Sequence, residues 1–211
     1  MNKQIEIAGS KPFTASRATL PSHARRLLAP CLCLALAVFA VKASPQDGAL
    51  PPAANVLQPQ AYVSLQPVPR GHSFQVAVVG KITPGFHVNA HMPSEDYLIP
   101  TKVIASLPAG VFLVETTYPR GMMRAFRFSK TPLRVYESSF TVLMKLRASG
   151  SAPVGSQKIP LTVSYQACNE DACLPPTSVP VTADLEIAGE DTTPHPIHPE
   201  IFSTTSGEKA K

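Results

Sequence analysis

Hydrophobic and polar residues alternate along most of the chain between residues 60 and 188. In a β-strand every second side chain points to the same face, so this alternation predicts half-buried antiparallel strands. The clearest alternating apolar sets are Phe74, Val76 and Val78; Phe140, Val142, Met144 and Leu146; Ile159, Leu161, Val163 and Tyr165; and Val179, Val181, Ala183, Leu185 and Ile187. Weaker strand candidates are residues 61–66, 86–91, 101–107 and 111–116.

Proline and glycine separate nearly all of these candidate strands, and no segment shows a competing helical period. About eight short antiparallel strands with turns at this spacing predict an all-β fold, an immunoglobulin-like β-sandwich. We expect one domain over residues 60–188, which is an ordinary domain size.

Both ends of the chain differ from this core. Residues 1–43 contain Arg25-Arg26 followed by the apolar run "LLAPCLCLALAVFAV", which is shorter than the roughly 20 residues of a membrane span. We interpret it as a signal peptide cleaved after Ala43, which predicts export to the periplasm. An uncleaved anchor is the alternative, and the membrane would then be reached only through this leader or a partner.

The sequence predicts little regular structure in the two segments that flank the core. Residues 44–59 are rich in Pro and Ala and predict a linker. Residues 189–211 are polar and broken by proline, and they predict a flexible tail.

Charge excludes one class of function. The formal net charge is +5, but residues 1–43 hold six basic residues and one acidic residue, and the rest of the chain is formally neutral. The folded part therefore predicts no nucleic-acid partner. It also lacks the sequence motifs of hydrolases and phosphate-binding loops, and we expect no cofactor and a monomer.

Two cysteines are expected in the mature chain. Cys31 and Cys33 leave with the leader, whereas Cys168 and Cys173 follow a predicted strand and flank the turn-prone "NEDA". Outside the cytoplasm such a pair normally forms a disulfide. We expect a hairpin or loop at one end of the sandwich, with Cα atoms about 4.4–6.8 Å apart.

The residues alone leave the role of this disulfide open. A ring of about six residues contributes only about 2 kcal/mol by loop closure, and a short exposed ring is the kind that thiols attack. Glu170 and Asp171 lie between the cysteines, and their charges disfavour a thiolate. The pair is therefore better suited to being attacked as a disulfide by the thiolate of a partner.

The segment "VSYQACNEDACLPPTSVPV", preceded by "PGFHVNAHMPSEDYLIPTKV", resembles the N-terminal periplasmic domain of the thiol:disulfide interchange protein DsbD. The resemblance covers residues 60–188 and implies an immunoglobulin-like sandwich. It also implies that Cys168 and Cys173 accept electrons from a thioredoxin-like donor and reduce periplasmic partners, namely disulfide isomerases or cytochrome c maturation proteins. The activity would be that of a protein-disulfide reductase.

The resemblance also suggests roles for residues around the pair. Cys168 would form the mixed disulfide with partners and Cys173 would resolve it. A cap loop is expected within "ETTYPRGMMRAF", with Tyr118 or Phe126 as the shielding side chain. The residues expected to position the first cysteine or to frame the docking surface are Tyr165, Gln166, Leu174, Pro175 and Pro176.

Three features depart from the family pattern. The insert between the cysteines has only four residues, "NEDA". His87 and Asn89 stand where the family has tyrosines that line the site. The sequence contains neither a membrane-embedded domain nor a thioredoxin-like domain, so we expect any reducing role to need a separate donor.

Two other functions remain open from the residues. His87, His91 and Met92 carry imidazole and thioether groups that suit copper, although no complete ligand set is apparent. A non-catalytic docking module with a purely structural disulfide is the second alternative.

Overall fold

The computed structural model describes residues 50–203. The expected signal peptide lies outside the described residues, as do the first part of the expected linker and the end of the expected tail.

Strands dominate the described part of the chain. A 3₁₀ helix, Ala53–Asn55, precedes them, and a short helix α1, Pro199–Phe202, follows them. The strands are β1 (Leu57–Val63), β2 (Leu65–Gln66), β3 (Val68–Pro69), β4 (Ser73–Ile82), β5 (His87–Asn89), β6 (Lys102–Ala105), β7 (Val111–Thr117), β8 (Met122–Arg124), β9 (Leu133–Glu137), β10 (Ser139–Ala148), β11 (Gly155–Tyr165), β12 (Ala167–Cys168), β13 (Thr177–Ala188) and β14 (His195–Pro196).

Two four-stranded sheets form a β-sandwich. Their strand orders are β1-β4-β10-β7 and β3-β13-β11-β6, and every pairing in them is antiparallel except that of β3 with β13. The apolar residues of both sheets belong to one core. The predicted all-β sandwich is therefore confirmed.

The alternation in the sequence matches the burial along the long strands. Every predicted inward residue of β4, β10 and β11 is buried, and those of β13 are buried except Val181, which is partly buried. Burial of these side chains is the main favourable free energy that holds the two sheets together, at about 25 cal/mol per Å² of apolar surface.

A third sheet has the strand order β12-β5-β9-β8, and its strand β12 contains Cys168. Ala167, Val88 and Tyr136 are paired across its first three strands and belong to the main core. The neighbouring row, Cys168, His87 and Glu137, must face the opposite side because successive side chains alternate.

The opposite side of this third sheet carries a second apolar cluster. Phe126, Leu133 and Val135 are its buried members, and Leu98 packs against them. Strands β8 and β9 were missed by the sequence analysis. The reason is that β9 is buried on both faces and β8 has only three residues, all exposed, so neither shows alternation.

The folded part extends beyond the predicted boundaries at both ends. Val56 and Leu57 are buried in the main core although they lie in the expected linker. In the expected tail, β14 pairs with β2, and the His198 ring contacts the Tyr62 ring at 5.0 Å between centroids. Within the described residues, buried apolar side chains and strand pairing therefore hold parts of both the expected linker and the expected tail.

Candidate functional site

Cys168 and Cys173 form a disulfide across a tight hairpin. Their sulfurs are 2.10 Å apart and their Cα atoms 4.0 Å apart. The Asn169 amide donates to the Ala172 carbonyl at 2.9 Å, and the Leu174 amide donates to the Ala167 carbonyl at 2.8 Å. The cysteines thus face each other between two hydrogen-bonded pairs, where opposed Cα atoms lie about 4.5 Å apart. This explains why they are closer than the sequence-based range.

The turn of this hairpin is closed by a side chain. The Asn169 carboxamide oxygen accepts hydrogen bonds from the backbone amides of Asp171 at 2.9 Å and Ala172 at 2.7 Å. Asparagine favours such local bonds, which substitute for backbone pairing at turns. The "NEDA" insert is therefore long enough to reverse the chain and oppose the two cysteines.

The two cysteines differ in exposure. Cys168 is 2% exposed, whereas Cys173 is exposed to solvent. A disulfide exchanges when a thiolate reaches one of its sulfurs. The exposure of the two residues therefore favours attack by an incoming thiolate at Cys173 rather than at Cys168.

His87 lies directly opposite Cys168 in the pairing of β5 with β12. It is 3% exposed, and its Nε2 has no hydrogen-bond partner among the described residues. Burial lowers the pKa of His87 to about 4, with a further contribution from the positive charge of Arg124. The ring is therefore neutral at pH 7.

Phe126 covers His87. The rings of His87 and Phe126 stack with centroids 4.1 Å apart and planes 22° apart. The ring of Phe128 stacks in turn on that of Phe126, with centroids 5.2 Å apart. Phe126 is buried, and Phe128 is 46% exposed. The loop between β8 and β9 thus lays two aromatic rings over the neighbour of Cys168.

Tyr118, the other expected shielding residue, lies elsewhere. Its hydroxyl accepts a hydrogen bond from the Val103 amide at 2.9 Å, and its ring stacks on His91 at 3.5 Å. Of the two residues in the expected cap segment, Phe126 is the one brought next to the cysteine row.

Arg124 links the hairpin tip to the third sheet. Its guanidinium lies 3.1 Å from the Glu137 carboxylate and 3.8 Å from that of Glu170. Arg124 and Glu137 were not among the predicted site residues. The charge of Arg124 within the expected cap segment was the only available signal, and the sequence does not reveal its partners.

A groove of about 690 Å³ runs beside the hairpin. The residues that line it include His87, Arg124, Glu137, Glu170, Lys81 and Phe86. The groove therefore carries charges of both signs and an aromatic ring, and Glu170 connects it to the cysteine hairpin.

The remaining predicted site residues support the hairpin or the core. The Gln166 carboxamide donates to the Leu174 carbonyl at 3.3 Å and so joins the two arms. Leu174 is buried, and Pro175, Pro176 and Asp171 are exposed. Tyr165 faces the main core and donates to the Ala53 carbonyl at 2.7 Å, and burial raises its pKa.

Asn89 is structural rather than adjacent to the disulfide. Its side chain donates to the Ile99 carbonyl at 3.0 Å, and its own carbonyl accepts from the Thr101 hydroxyl at 2.6 Å. These bonds hold the long segment between β5 and β6.

The proposed copper ligands are not assembled into a cluster. Within residues 50–203 no group of three or more His, Cys, Asp and Glu side chains is arranged to hold a metal ion. His91 Nδ1 lies 3.0 Å from the Thr101 carbonyl, and Met92 is 71% exposed.

Within residues 50–203, no helix has the length and apolar character needed to cross a bilayer.

Comparison with known proteins gives one family. The model of the N-terminal region of the thiol:disulfide interchange protein DsbD matches residues 53–184. None of the curated proteins matches the chain in sequence.

Solved structures give weaker similarities. The N-terminal periplasmic domain of ScsB from Proteus mirabilis has 9% identity and a TM-score of 0.43 over 71% of this chain, and the chain spans 50% of that protein. AggA, the major subunit of aggregative adherence fimbriae type I from Escherichia coli, has 6% identity and a TM-score of 0.30, over 66% of this chain and 100% of AggA.

Proposed function

The chain belongs to the DsbD N-terminal family, and we propose that it is a periplasmic thiol:disulfide interchange module. It would accept electrons from a thioredoxin-like donor and pass them to disulfides in partner proteins. The observation that carries this proposal is the unequal exposure of the two cysteine residues: Cys173 is exposed and Cys168 is 2% exposed. A disulfide with one accessible sulfur has a defined point of attack and a defined leaving group.

The exchange with the donor has two steps. A thiolate of the donor attacks Cys173 Sγ, forms a mixed disulfide with it, and releases Cys168 as a thiolate that takes up a proton. The second thiolate of the donor then attacks its own mixed-disulfide sulfur and releases Cys173. Two electrons and two protons thus reach the cysteine pair, and the donor leaves oxidised.

This order assigns the mixed disulfide to Cys173. The family resemblance led us to expect Cys168 in that role, but the exposure of the two side chains favours the opposite assignment. In the forward reaction toward a partner disulfide, Cys173 would be the attacking thiolate, and Cys168 would resolve the mixed disulfide.

The surroundings of Cys173 support docking of another protein. The groove beside the hairpin carries Lys81, Arg124 and Glu170, and the exposed ring of Phe128 lies at the cap loop. Exposed aromatic side chains and arginine are enriched at protein-binding surfaces. Donors and acceptors of the thioredoxin-like, isomerase or cytochrome c maturation type are the proposed partners.

A periplasmic location rests on the family and on the leader. Residues 1–43 are proposed to direct export, with the folded domain released after cleavage or held by an uncleaved anchor. A redox role then requires a donor on the same side of the membrane, because an exchange reaction needs contact between the sulfurs.

Trapping of mixed disulfides tests the proposal. Cys168→Ser leaves Cys173 free to attack, and Cys173→Ser leaves only the covered Cys168. We expect the first variant to accumulate a mixed disulfide with an oxidised thioredoxin-like protein, seen by mass spectrometry of non-reduced samples, and the second to give little. Equal trapping by both variants would contradict the assignment, and no trapping by either would favour a structural disulfide.

A further inference from the structure

The buried Nε2 atom of His87 has no hydrogen-bond partner among the described residues. Buried polar atoms are nearly always hydrogen-bonded, so an unpaired one in a native structure needs an explanation. His87 is 3% exposed and covered by Phe126, so its ring is well shielded from bulk water.

The neighbour of His87 on this face is Cys168. The two residues are directly paired between β5 and β12, and directly paired side chains share a face with Cβ atoms about 4.5–5.5 Å apart. On the other side of His87, its paired residue in β9 is Glu137. The carboxylate of Glu137 already forms an ion pair with Arg124 at 3.1 Å. Cys168 is therefore the reactive group nearest in register to the ring.

In its disulfide form, Cys168 is a poor hydrogen-bond partner for His87. A disulfide sulfur carries no proton and is a weak acceptor, whereas a thiol is a donor and a thiolate a charged acceptor. Reduction would convert Cys168 Sγ into a thiol or a thiolate, and both of these can form a hydrogen bond with an imidazole nitrogen.

We propose that His87 is the hydrogen-bond partner of Cys168 Sγ in the reduced protein and positions the sulfur that thiol:disulfide exchange releases. This inference rests on the proposed function. When the thiolate of a donor bonds to Cys173 Sγ, the bond between the two sulfurs breaks and its electron pair remains on Cys168. An Nε2–H group would donate to that buried thiolate, and once the sulfur is protonated from solvent, an unprotonated Nε2 would accept from the thiol.

The neutral ring suits this role. In the oxidised protein, burial and the charge of Arg124 keep the pKa of His87 at about 4, so the ring that meets the released sulfur is neutral at pH 7. Either tautomer of the neutral ring stabilises the reduced protein relative to the oxidised one. His87 thus raises the tendency of the pair to accept electrons.

The reduction equilibrium of His87→Phe tests the inference. Phenylalanine keeps a ring against Phe126 and removes the hydrogen bond. A single hydrogen bond shifts an equilibrium by up to about tenfold, so the equilibrium with glutathione is expected to move up to about tenfold toward the oxidised form, which is about 30 mV more negative. The matched control is His91→Phe, since His91 follows the same strand and stacks on Tyr118. Equal equilibria in the two variants would overturn the inference.

A second measurement needs no variant. Nitrogen-15 NMR of the histidine rings in the wild-type protein reports hydrogen bonding and tautomer directly. On reduction we expect the His87 Nε2 resonance to shift and the His91 resonances to stay in place. An unchanged His87 resonance would overturn the inference even if His87→Phe fails to fold.

These outcomes are separable from failure of the proposed function. If wild-type protein forms mixed disulfides but His87 responds neither in the equilibrium nor in the NMR spectrum, only the role of His87 fails. If the disulfide resists reduction by glutathione and thioredoxin altogether, the proposed function fails first.

Discussion

The two faces of the third sheet are built from the same strands and have opposite properties. On the core face, Ala167, Val88 and Tyr136 are buried in the main apolar core. The Tyr136 hydroxyl accepts from the His91 amide at 3.1 Å and donates to the Pro119 carbonyl at 2.8 Å, so its polar group is satisfied. This face fixes the position of the hairpin.

The outer face carries Cys168, His87 and Glu137 in the adjacent row. It holds the disulfide, an imidazole nitrogen with no hydrogen-bond partner within residues 50–203, and an ion pair with Arg124. The core face fixes the hairpin in the sandwich, and the outer face carries the group for which we propose exchange chemistry. A single residue step along each strand separates the two functions.

Substitution of neighbouring residues in β9 gives the largest expected contrast. Tyr136→Ala removes a buried ring that stacks on Phe140, and deletion of a large buried aromatic ring costs about 3–5 kcal/mol. Glu137→Ala removes one partner of a partly exposed ion pair, which costs less than about 1 kcal/mol. Urea unfolding of the two oxidised variants measures both changes, and similar losses would contradict the division between the faces.

The next largest expected effect is the loss of folding stability at low pH that His87 causes. His87 has a pKa of about 4 in the folded protein and an ordinary value of 6.5, so the unfolded chain binds more protons between these values. Stability is therefore fully present above pH 6.5 and falls as the pH drops toward 4. The full loss from this group is about 3 kcal/mol.

Urea unfolding at several pH values, compared between wild-type protein and His87→Phe, measures this slope. The other charged groups near the ring are Arg124, Glu137 and Glu170, and all of them remain in the variant. We expect the difference in stability between the two proteins to change across this pH range. A constant difference would mean that His87 is not held neutral by burial.

The turn residue Asn169 gives a smaller effect. Asn169→Ala leaves two backbone amides at the tip without their side-chain acceptor, and we expect a loss of about 1 kcal/mol because these groups are near solvent. The loss should be measured by thermal unfolding of the oxidised protein. Asn169→Asp, which keeps an acceptor oxygen, is the matched control and should lose less.

The ion pairs of Arg124 give the smallest effect on stability. Arg124 is 46% exposed and Glu170 57% exposed, and exposed ion pairs contribute less than about 1 kcal/mol. Arg124→Gln should therefore leave the unfolding midpoint almost unchanged. Because the charge of Arg124 lies at the hairpin tip, the same variant should alter the salt dependence of the association rate with a charged partner.

The sequence predicts the large sheets better than the site. Residues such as Val142 and Val163 alternate with polar neighbours because one face of each long strand is buried and the other is wet. In β9, Val135 and Tyr136 are both buried on opposite faces, and no alternation remains to be read. The hairpin was predictable because two cysteines and a turn lie close together in the chain.

The chemistry of the outer face depends on contacts between distant segments. His87 and Phe126 are far apart in sequence and stack only because β5 and β8 belong to one sheet. The different exposure of Cys168 and Cys173 also depends on what covers each of them. Spacing alone predicts that the cysteines pair, but it does not reveal which cysteine is exposed.

The reduction potential of the Cys168–Cys173 pair tests the central claim most directly. Equilibration of the folded protein with glutathione or a thioredoxin, followed by thiol alkylation and mass spectrometry, gives its value. A thiol:disulfide interchange module is expected to lie between roughly −180 and −270 mV. A potential below about −300 mV, where structural disulfides lie, would contradict the account.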